Sequence, residues 1–189
     1  MPIENEYKFC LHDPEEQLEK TLLASDHFRA GIKQGYIRKG SRIREWHDPQ
    51  SDALRYIYTY KHRVEDDVIE VETDISKEDF NKLWSVRERD VEKIRFKFII
   101  DGLTWDVDFL KNQGKTYFVI AEVELPEKER NIPEPPAIIK DYVLGGTERH
   151  DKTLSNKRLS NVEYALRVTT AFRAGEEAVK NLAQRAKAS

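Results

Sequence analysis

The run Lys93-Ile94-Arg95-Phe96-Lys97-Phe98, followed past the turn Asp101-Gly102 by Trp105-Asp106-Val107-Asp108-Phe109, decides how this chain is read. In both segments ionised and apolar residues alternate with a period of two. Successive side chains of a β-strand point to opposite faces, so each segment is a strand with one charged face and one apolar face. The pattern recurs in both directions along the chain. Glu4, Glu6 and Lys8 oppose Ile3, Tyr7 and Phe9; Arg42 and Arg44 flank Ile43; Glu70 and Glu72 flank Val71; Glu122 and Glu124 alternate with Ala121, Val123 and Leu125.

Period-two segments over 3–11, 31–38, 42–46, 54–63, 67–74, 91–100, 103–110 and 116–125 give eight expected strands. Lys39-Gly40, His47-Asp48-Pro49 and Asn112-Gln113-Gly114 supply turns between several of them. Helical spacing covers 14–24, where Leu18, Leu22 and Leu23 share a face, and a segment capped by Ser76 that carries Asp79, Phe80, Leu83 and Trp84. Beyond the loop from Pro133 to Pro136, residues 159–187 read as one long helical stretch with Val162, Leu166 and Thr169 in register and an Ala- and Lys-rich end.

A half-exposed antiparallel sheet accounts for any one of these strands. It accounts less well for the set, because exposed faces mix Thr, Ser, Gln and Lys, whereas here doublets of pure acid or pure base recur. Strands bearing only carboxylates repel locally unless a cation or basic neighbours compensate. A closed eight-stranded antiparallel barrel, charged inside and covered by helices outside, removes the difficulty, and makes the expected fold α+β. An acidic lumen wall suits Mg²⁺ or Mn²⁺, and a basic wall suits phosphate oxygens. Together they describe a metal-assisted phosphoryl-transfer site.

Composition is consistent with this. The 189 residues suit one domain, with residues from about 159 to 189 as a C-terminal helical extension. Charged residues reach 35% against 39% hydrophobic, but 8 Phe, 8 Tyr and 3 Trp spread along the chain argue for folding over disorder. A net charge of −3 favours neither nucleic acid nor an anionic membrane as partner. The single Cys10 excludes an intramolecular disulfide framework, and with no leader-like N-terminus and no membrane-length apolar run the expected compartment is the cytoplasm. His12, His27, His47, His62 and His150 form no ligand pattern and read as surface residues, and Trp46, Trp84 and Trp105 read as core.

Glu4-Asn5-Glu6-Tyr7-Lys8 matches the ExExK signature of the CYTH family, the triphosphate tunnel metalloenzymes. The rest follows in family order: Gln34-Gly35-Tyr36, Arg42-x-Arg44, Lys61, Glu70-x-Glu72, Lys93-x-Arg95, Asp106-x-Asp108, Glu122-x-Glu124, Asp151-Lys152 and Ser155-Asn156-Lys157. The chain thus resembles this family over roughly residues 3 to 160. The resemblance implies an eight-stranded tunnel, dependence on Mg²⁺ or Mn²⁺, and a small-molecule triphosphate as substrate. By position it makes Glu4, Glu6, Glu122 and Glu124 the metal-binding acids, with Asp108 a further contributor. It lines the phosphate path with Lys8, Arg42, Arg44, Lys61, Lys93, Arg95 and Lys157. A second metal ion or a base activates the attacking water; Lys93, crowded by Arg95 and Lys97, is the candidate base and Tyr36 the residue that orients it.

Within the family the pattern is most similar to single-domain bacterial inorganic triphosphatases. Class IV adenylate cyclases carry a His-Phe pair ahead of ExExK, and thiamine triphosphatases an aromatic platform that the sequence does not reveal. Nucleoside triphosphatase and a non-catalytic polyphosphate-binding module complete the alternatives. Two stretches depart from the family: the run from Lys61 to Asp67 replaces a small turn at the tunnel mouth, and the C-terminal extension is left to pack over the barrel, mediate a homodimer or fray.

Overall fold

A computed structural model describes residues 5–38, 40–64, 67–127, 129–147 and 151–187. The strands are β1 (Glu6–Leu11), β2 (Phe28–Arg38), β3 (Ser41–Asp48), β4 (Ala53–Val64), β5 (Asp67–Asp74), β6 (Arg89–Ile100), β7 (Leu103–Asn112), β8 (Lys115–Glu124) and β9 (Val143–Gly146). The helices are α1 (Gln17–Leu23), α2 (Lys77–Ser85), α3 (Ala137–Lys140), α4 (Asn156–Leu159), α5 (Val162–Ala174) and α6 (Glu176–Lys187). The fold is therefore α+β, as the alternation predicts, and all eight expected strands are present.

The expected closure is where the structure differs. One antiparallel sheet of nine strands runs in the order β5-β4-β3-β2-β6-β7-β8-β1-β9, with β5 and β9 as its edges among the described residues. The short β9 pairs with Phe9, Cys10 and Leu11 and so takes the side of β1 on which a closing strand would bond. Its sequence, Val143-Leu144-Gly145-Gly146, carries no alternation to announce it.

The apolar face of β1, β6, β7 and β8 makes the main core. Phe9, Phe96, Phe98, Trp105, Val107, Phe109, Ala121 and Val123 pack there with Leu18 and Leu22 of α1 and Ile139 of α3. Fully burying each large side chain is worth about 1.5–3 kcal/mol. α1 is pinned to the β7–β8 hairpin by buried Glu19, which takes Lys111 Nζ and the Thr116 hydroxyl. α2 begins as expected, with Ser76 Oγ accepting from Asp79 N at 3.0 Å.

A second apolar cluster lies on the charged face, at one end of it. Cys10, Tyr36, Val91, Leu110, Phe118 and Ile120 share strand parity with the ionised residues, yet pack on Leu154, Leu159, Ala165, Val168 and Phe172. The C-terminal region is thus split between roles: α4 and α5 cover one end of the sheet's charged face. The single expected helix is broken where Asn161 caps α5 by accepting from Tyr164 N, and again at Gly175 with φ 103°. No helix among the described residues is long and apolar enough to cross a membrane.

The β2–β3 turn depends on Gly40, whose φ is +83° and whose added Cβ would lie 2.3 Å from the Lys61 carbonyl oxygen. Its own carbonyl accepts from Lys61 N at 2.7 Å. Gly40→Ala is expected to destabilise the fold by about 2 kcal/mol or more in urea unfolding, from left-handed strain plus the displaced backbone. An unchanged unfolding midpoint would mean that this turn tolerates a side chain.

Candidate active site

The remainder of the charged face surrounds a cavity of about 370 Å³ to which every strand from β1 to β8 contributes. Its walls carry eight basic side chains (Lys8, Arg42, Arg44, Arg55, Lys61, Lys93, Arg95, Lys97) and six acidic ones (Glu6, Glu70, Glu72, Asp106, Glu122, Glu124). Strand parity delivers them there, since those that share a strand lie an even number of residues apart.

Arg95 organises one wall. Its guanidinium donates from Nε and Nη2 to the two oxygens of Asp108 at 2.6 and 2.7 Å, from Nη1 to Asp106 Oδ2 at 2.5 Å, and from Nη2 to Glu122 Oε2 at 3.3 Å. Lys93 Nζ also donates to Asp108, at 2.5 Å. Burial raises the Asp108 carboxyl, but Arg95 and Lys93 outweigh it and hold the group below its ordinary range. Lys93 is 4% exposed. Burial, joined by Arg95, pushes its ammonium down to about 8 against the opposing pull of Asp108 and Glu122.

Glu122 links this wall to β1. It accepts from Lys8 Nζ and, at 3.2 Å, from Asn156 Nδ2 of α4. Burial alone would raise its carboxyl; Lys8, Arg95 and Lys93 together hold it well below the carboxylate range. Lys8 also reaches Glu6 at 2.8 Å. Glu6 stands directly opposite Glu124 in the β1–β8 register, and Asp106 opposite Glu122 in the β7–β8 register. Such like-charged pairs repel. No cation neutralises Glu124 among the described residues, and buried Asp106 Oδ1 accepts no well-directed hydrogen bond, its partner being the Lys97 ammonium 3.2 Å away in an ion pair.

The opposite wall is basic. Arg42 donates to Glu70 at 2.7 Å, Arg44 to Glu72 and, at 3.2 Å, to Thr59, and Lys61 stands 3.2 Å from Glu70. These pairs leave donors over: Arg42 Nε and Arg44 Nε are both buried without an acceptor. Burial and then Arg42 push the Arg44 guanidinium down to about 10, so it stays a cation at neutral pH but an under-compensated one.

Of the residues expected from sequence, Glu6, Lys8, Arg42, Arg44, Lys61, Lys93, Arg95, Glu122 and Glu124 meet in this cavity. Glu4 lies outside the described residues, as does His150. Asp108 is fully buried behind the wall, occupied by Lys93 and Arg95. Tyr36 packs into the apolar end and its hydroxyl accepts from Gln34 Nε2 at 2.5 Å, so no hydrogen bond joins it to Lys93 among the described residues. Lys157 stands over the Tyr36 ring, 5.9 Å from its centroid, and 3.6 Å from Glu88. Asp106, Glu70, Glu72 and Lys97 share parity with the chosen residues, a signal that already marked them. Asn156 had only its place beside Lys157, and Trp46, expected in the core with Trp105, instead faces the cavity.

No protein-family model matches the chain. An inorganic triphosphatase of Acetivibrio thermocellus is 30% identical over 128 residues, which span 62% of this chain and 78% of that protein. Among solved structures, the PH1819 protein of Pyrococcus horikoshii is similar at 20% identity and a TM-score of 0.46, over 66% of this chain and 80% of that one. A putative adenylate cyclase from Bacillus halodurans is similar at 15% identity and a TM-score of 0.42, over 65% of this chain and 80% of that one.

Proposed function

The chain belongs to the CYTH family, and on that premise we propose that it hydrolyses inorganic triphosphate to pyrophosphate and phosphate with Mg²⁺ or Mn²⁺ as cofactor. The observation that carries this reading is the pair of buried guanidinium N–H groups, Arg42 Nε and Arg44 Nε, that lack acceptors inside a cavity lined by eight cations. A buried donor without a partner is costly, and a phosphate oxygen satisfies it with a charge-assisted bond.

The acidic wall fits a hard divalent cation. Among the described residues no three carboxylates are grouped around one point. Mg²⁺ ordinarily takes only one or two carboxylates and completes its shell with water and substrate phosphate. Glu6 and Glu124, opposed in register, with Glu122 and Asp106 beside them, are the donors that would hold it, and Glu4 would join them by its place in the motif. When bound, the ion supplies charge neutralisation at the phosphate oxygens.

The chain's own residues do the rest. Arg42, Arg44 and Lys61 bind and orient the triphosphate against the basic wall. Lys8 and Arg95 fix Glu122. Lys93, in its neutral form, accepts the proton of the water that attacks the terminal phosphorus, while the bond from that phosphorus to the bridging oxygen breaks and pyrophosphate leaves. With its ammonium at about 8, only about a tenth of Lys93 is neutral at pH 7. The rate is therefore expected to climb nearly tenfold per pH unit below about 8 and to level off above it, because raising the pH creates the acceptor. A flat profile from pH 6 to 9 would remove Lys93 as the base.

The reading is tested by phosphate release from inorganic triphosphate, ATP and thiamine triphosphate, with Mg²⁺, with Mn²⁺ and after chelation. Metal-dependent release from triphosphate supports it. Conversion of ATP to cyclic AMP and pyrophosphate, with triphosphate untouched, replaces it with a cyclase. Binding without turnover of any of them leaves a polyphosphate-binding module.

A further inference from the structure

Among the described residues that form the cavity walls, Asn156 alone is supplied by no strand. It comes from α4, which is anchored by Leu159, three residues on and so on the same face of the helix. Leu159 is fully buried in the second apolar cluster, and its carbonyl accepts from Tyr117 Oη at 3.0 Å.

One bond sets the orientation of the Asn156 carboxamide. Its Nδ2 donates to Glu122 Oε1 at 3.2 Å. Turned over, the amide would set its oxygen against a carboxylate, with two acceptors facing each other. Oδ1 is therefore the atom left over, buried and without a hydrogen-bond donor among the described residues. A buried acceptor in that condition is costly.

The surroundings narrow what donor fits. Burial raises the Tyr36 phenol, and the charges that act on it are those of Arg42, Glu122 and Lys8, so these three converge at the end of the cavity that α4 and α5 cover. Lys157, next to Asn156, stands over the Tyr36 ring. Glu122 also lies within electrostatic reach of Lys93, so Lys93 and Asn156 flank the same carboxylate. Lys8 is already engaged by Glu6 and Glu122. An ionised phosphate on Arg42 Nε presents only acceptor oxygens, which a carbonyl repels. Water carries the missing donor, and water is what cleavage of a phosphoanhydride consumes.

We propose that Asn156 Oδ1 holds the attacking water by one of its O–H groups, beside the terminal phosphate on Arg42, and so aims the oxygen at phosphorus. The other O–H gives its proton to Lys93, while the hydrogen on Asn156 stays with its oxygen and leaves on the phosphate product. The proposal rests on the triphosphatase reading given above and adds to it a catalytic residue that the sheet does not supply.

The test is turnover of inorganic triphosphate at saturating Mg²⁺ and substrate, joined to calorimetric titration of triphosphate in EDTA. Both are run on wild type, Asn156→Ala and Asn156→Asp, each with a melting curve. Asn156→Ala is expected to lose about tenfold or more in kcat, with its dissociation constant for triphosphate within about threefold of wild type. Asn156→Asp keeps the acceptor and loses the donor to Glu122, so its kcat is expected to exceed that of Asn156→Ala by about threefold or more. An unchanged kcat in Asn156→Ala overturns the proposal. An Asn156→Asp no faster than Asn156→Ala also overturns it, by making the residue a prop for Glu122 alone. A fall in kcat matched by weaker triphosphate binding overturns it as well, by making the residue part of the phosphate site. If Asn156→Ala does not fold, Asn156→Leu, which fills the space without polar atoms, takes its place in the comparison. A wild type that binds triphosphate without turning it over, or does not bind it, removes the triphosphatase reading and the water site with it.

Discussion

Glu122→Gln is expected to lower turnover of inorganic triphosphate by about a thousandfold while the protein stays folded. Glu122 is where the two halves of the charged wall meet: Lys8, Arg95 and Asn156 all end on its carboxylate. The amide keeps an oxygen for one donor, so most of the packing survives. It removes the negative charge that Lys8 and Arg95 balance and that a divalent ion beside Glu6 and Glu124 would share. Its nitrogen also turns a donor toward two cations. Phosphate release at saturating metal, with a melting curve on the same preparation, is the measurement. A fall of less than about tenfold would make Glu122 an internal counter-ion and no more.

Asp108→Asn should act on stability first. The carboxylate is fully buried and takes two bonds from Arg95 and one from Lys93. Removing its charge strands two buried cations, a change that costs about 3–5 kcal/mol when one partner of a buried pair is lost. Urea unfolding reads that loss. A second effect separates this from general damage. Asp108 is the strongest of the influences that raise the Lys93 ammonium, and without it burial and Arg95 push the group further below about 8. The midpoint of the rate profile therefore moves to lower pH in the variant, so that the amine is neutral over a wider range. A destabilised protein whose midpoint stays put would show that Asp108 holds the wall together without setting the titration of Lys93.

Much of this architecture was legible because the charge alternation is strict. A strand such as Lys93–Phe98 has no other way to separate three cations from three apolar groups, and parity marks eight of the nine expected residues that meet in the cavity, Lys61 coming only from the family resemblance. What escaped depends on information that parity lacks. In Phe118-Val119-Ile120-Ala121 both faces are apolar, and such a run reads equally as a strand buried on both sides or as part of a helix. The cover that makes both faces apolar arrives from α4 and α5, some forty residues later in the chain. The partner of each cation was hidden for a related reason. Whether Lys93 meets Asp108 or Tyr36 turns on the register of β6 against β7 and β2, which the alternation leaves open by steps of two. In sequence Trp46 reads as core, as large aromatics ordinarily do, and only the geometry of β3 shows that it faces the cavity.

The threading of β1 bears on how the molecule is assembled. Within β2 to β8 all neighbours but β2 and β6 are joined by hairpins, and β2 and β6 pair across the β3–β5 and α2 segment between them. β1, made first in the chain, belongs between β8 and β9, so Lys8 meets Glu122 across 114 residues. Closing so long a loop is entropically slow, and it has no reward until β8 stands in place to receive β1. β9 pairs with no strand but β1 among the described residues, so it joins the sheet only once β1 has docked, and Glu6 and Lys8 reach the wall late. During refolding, catalytic competence would then lag behind the recovery of the β2–β8 sheet, with the interval set by the docking of six residues onto β8.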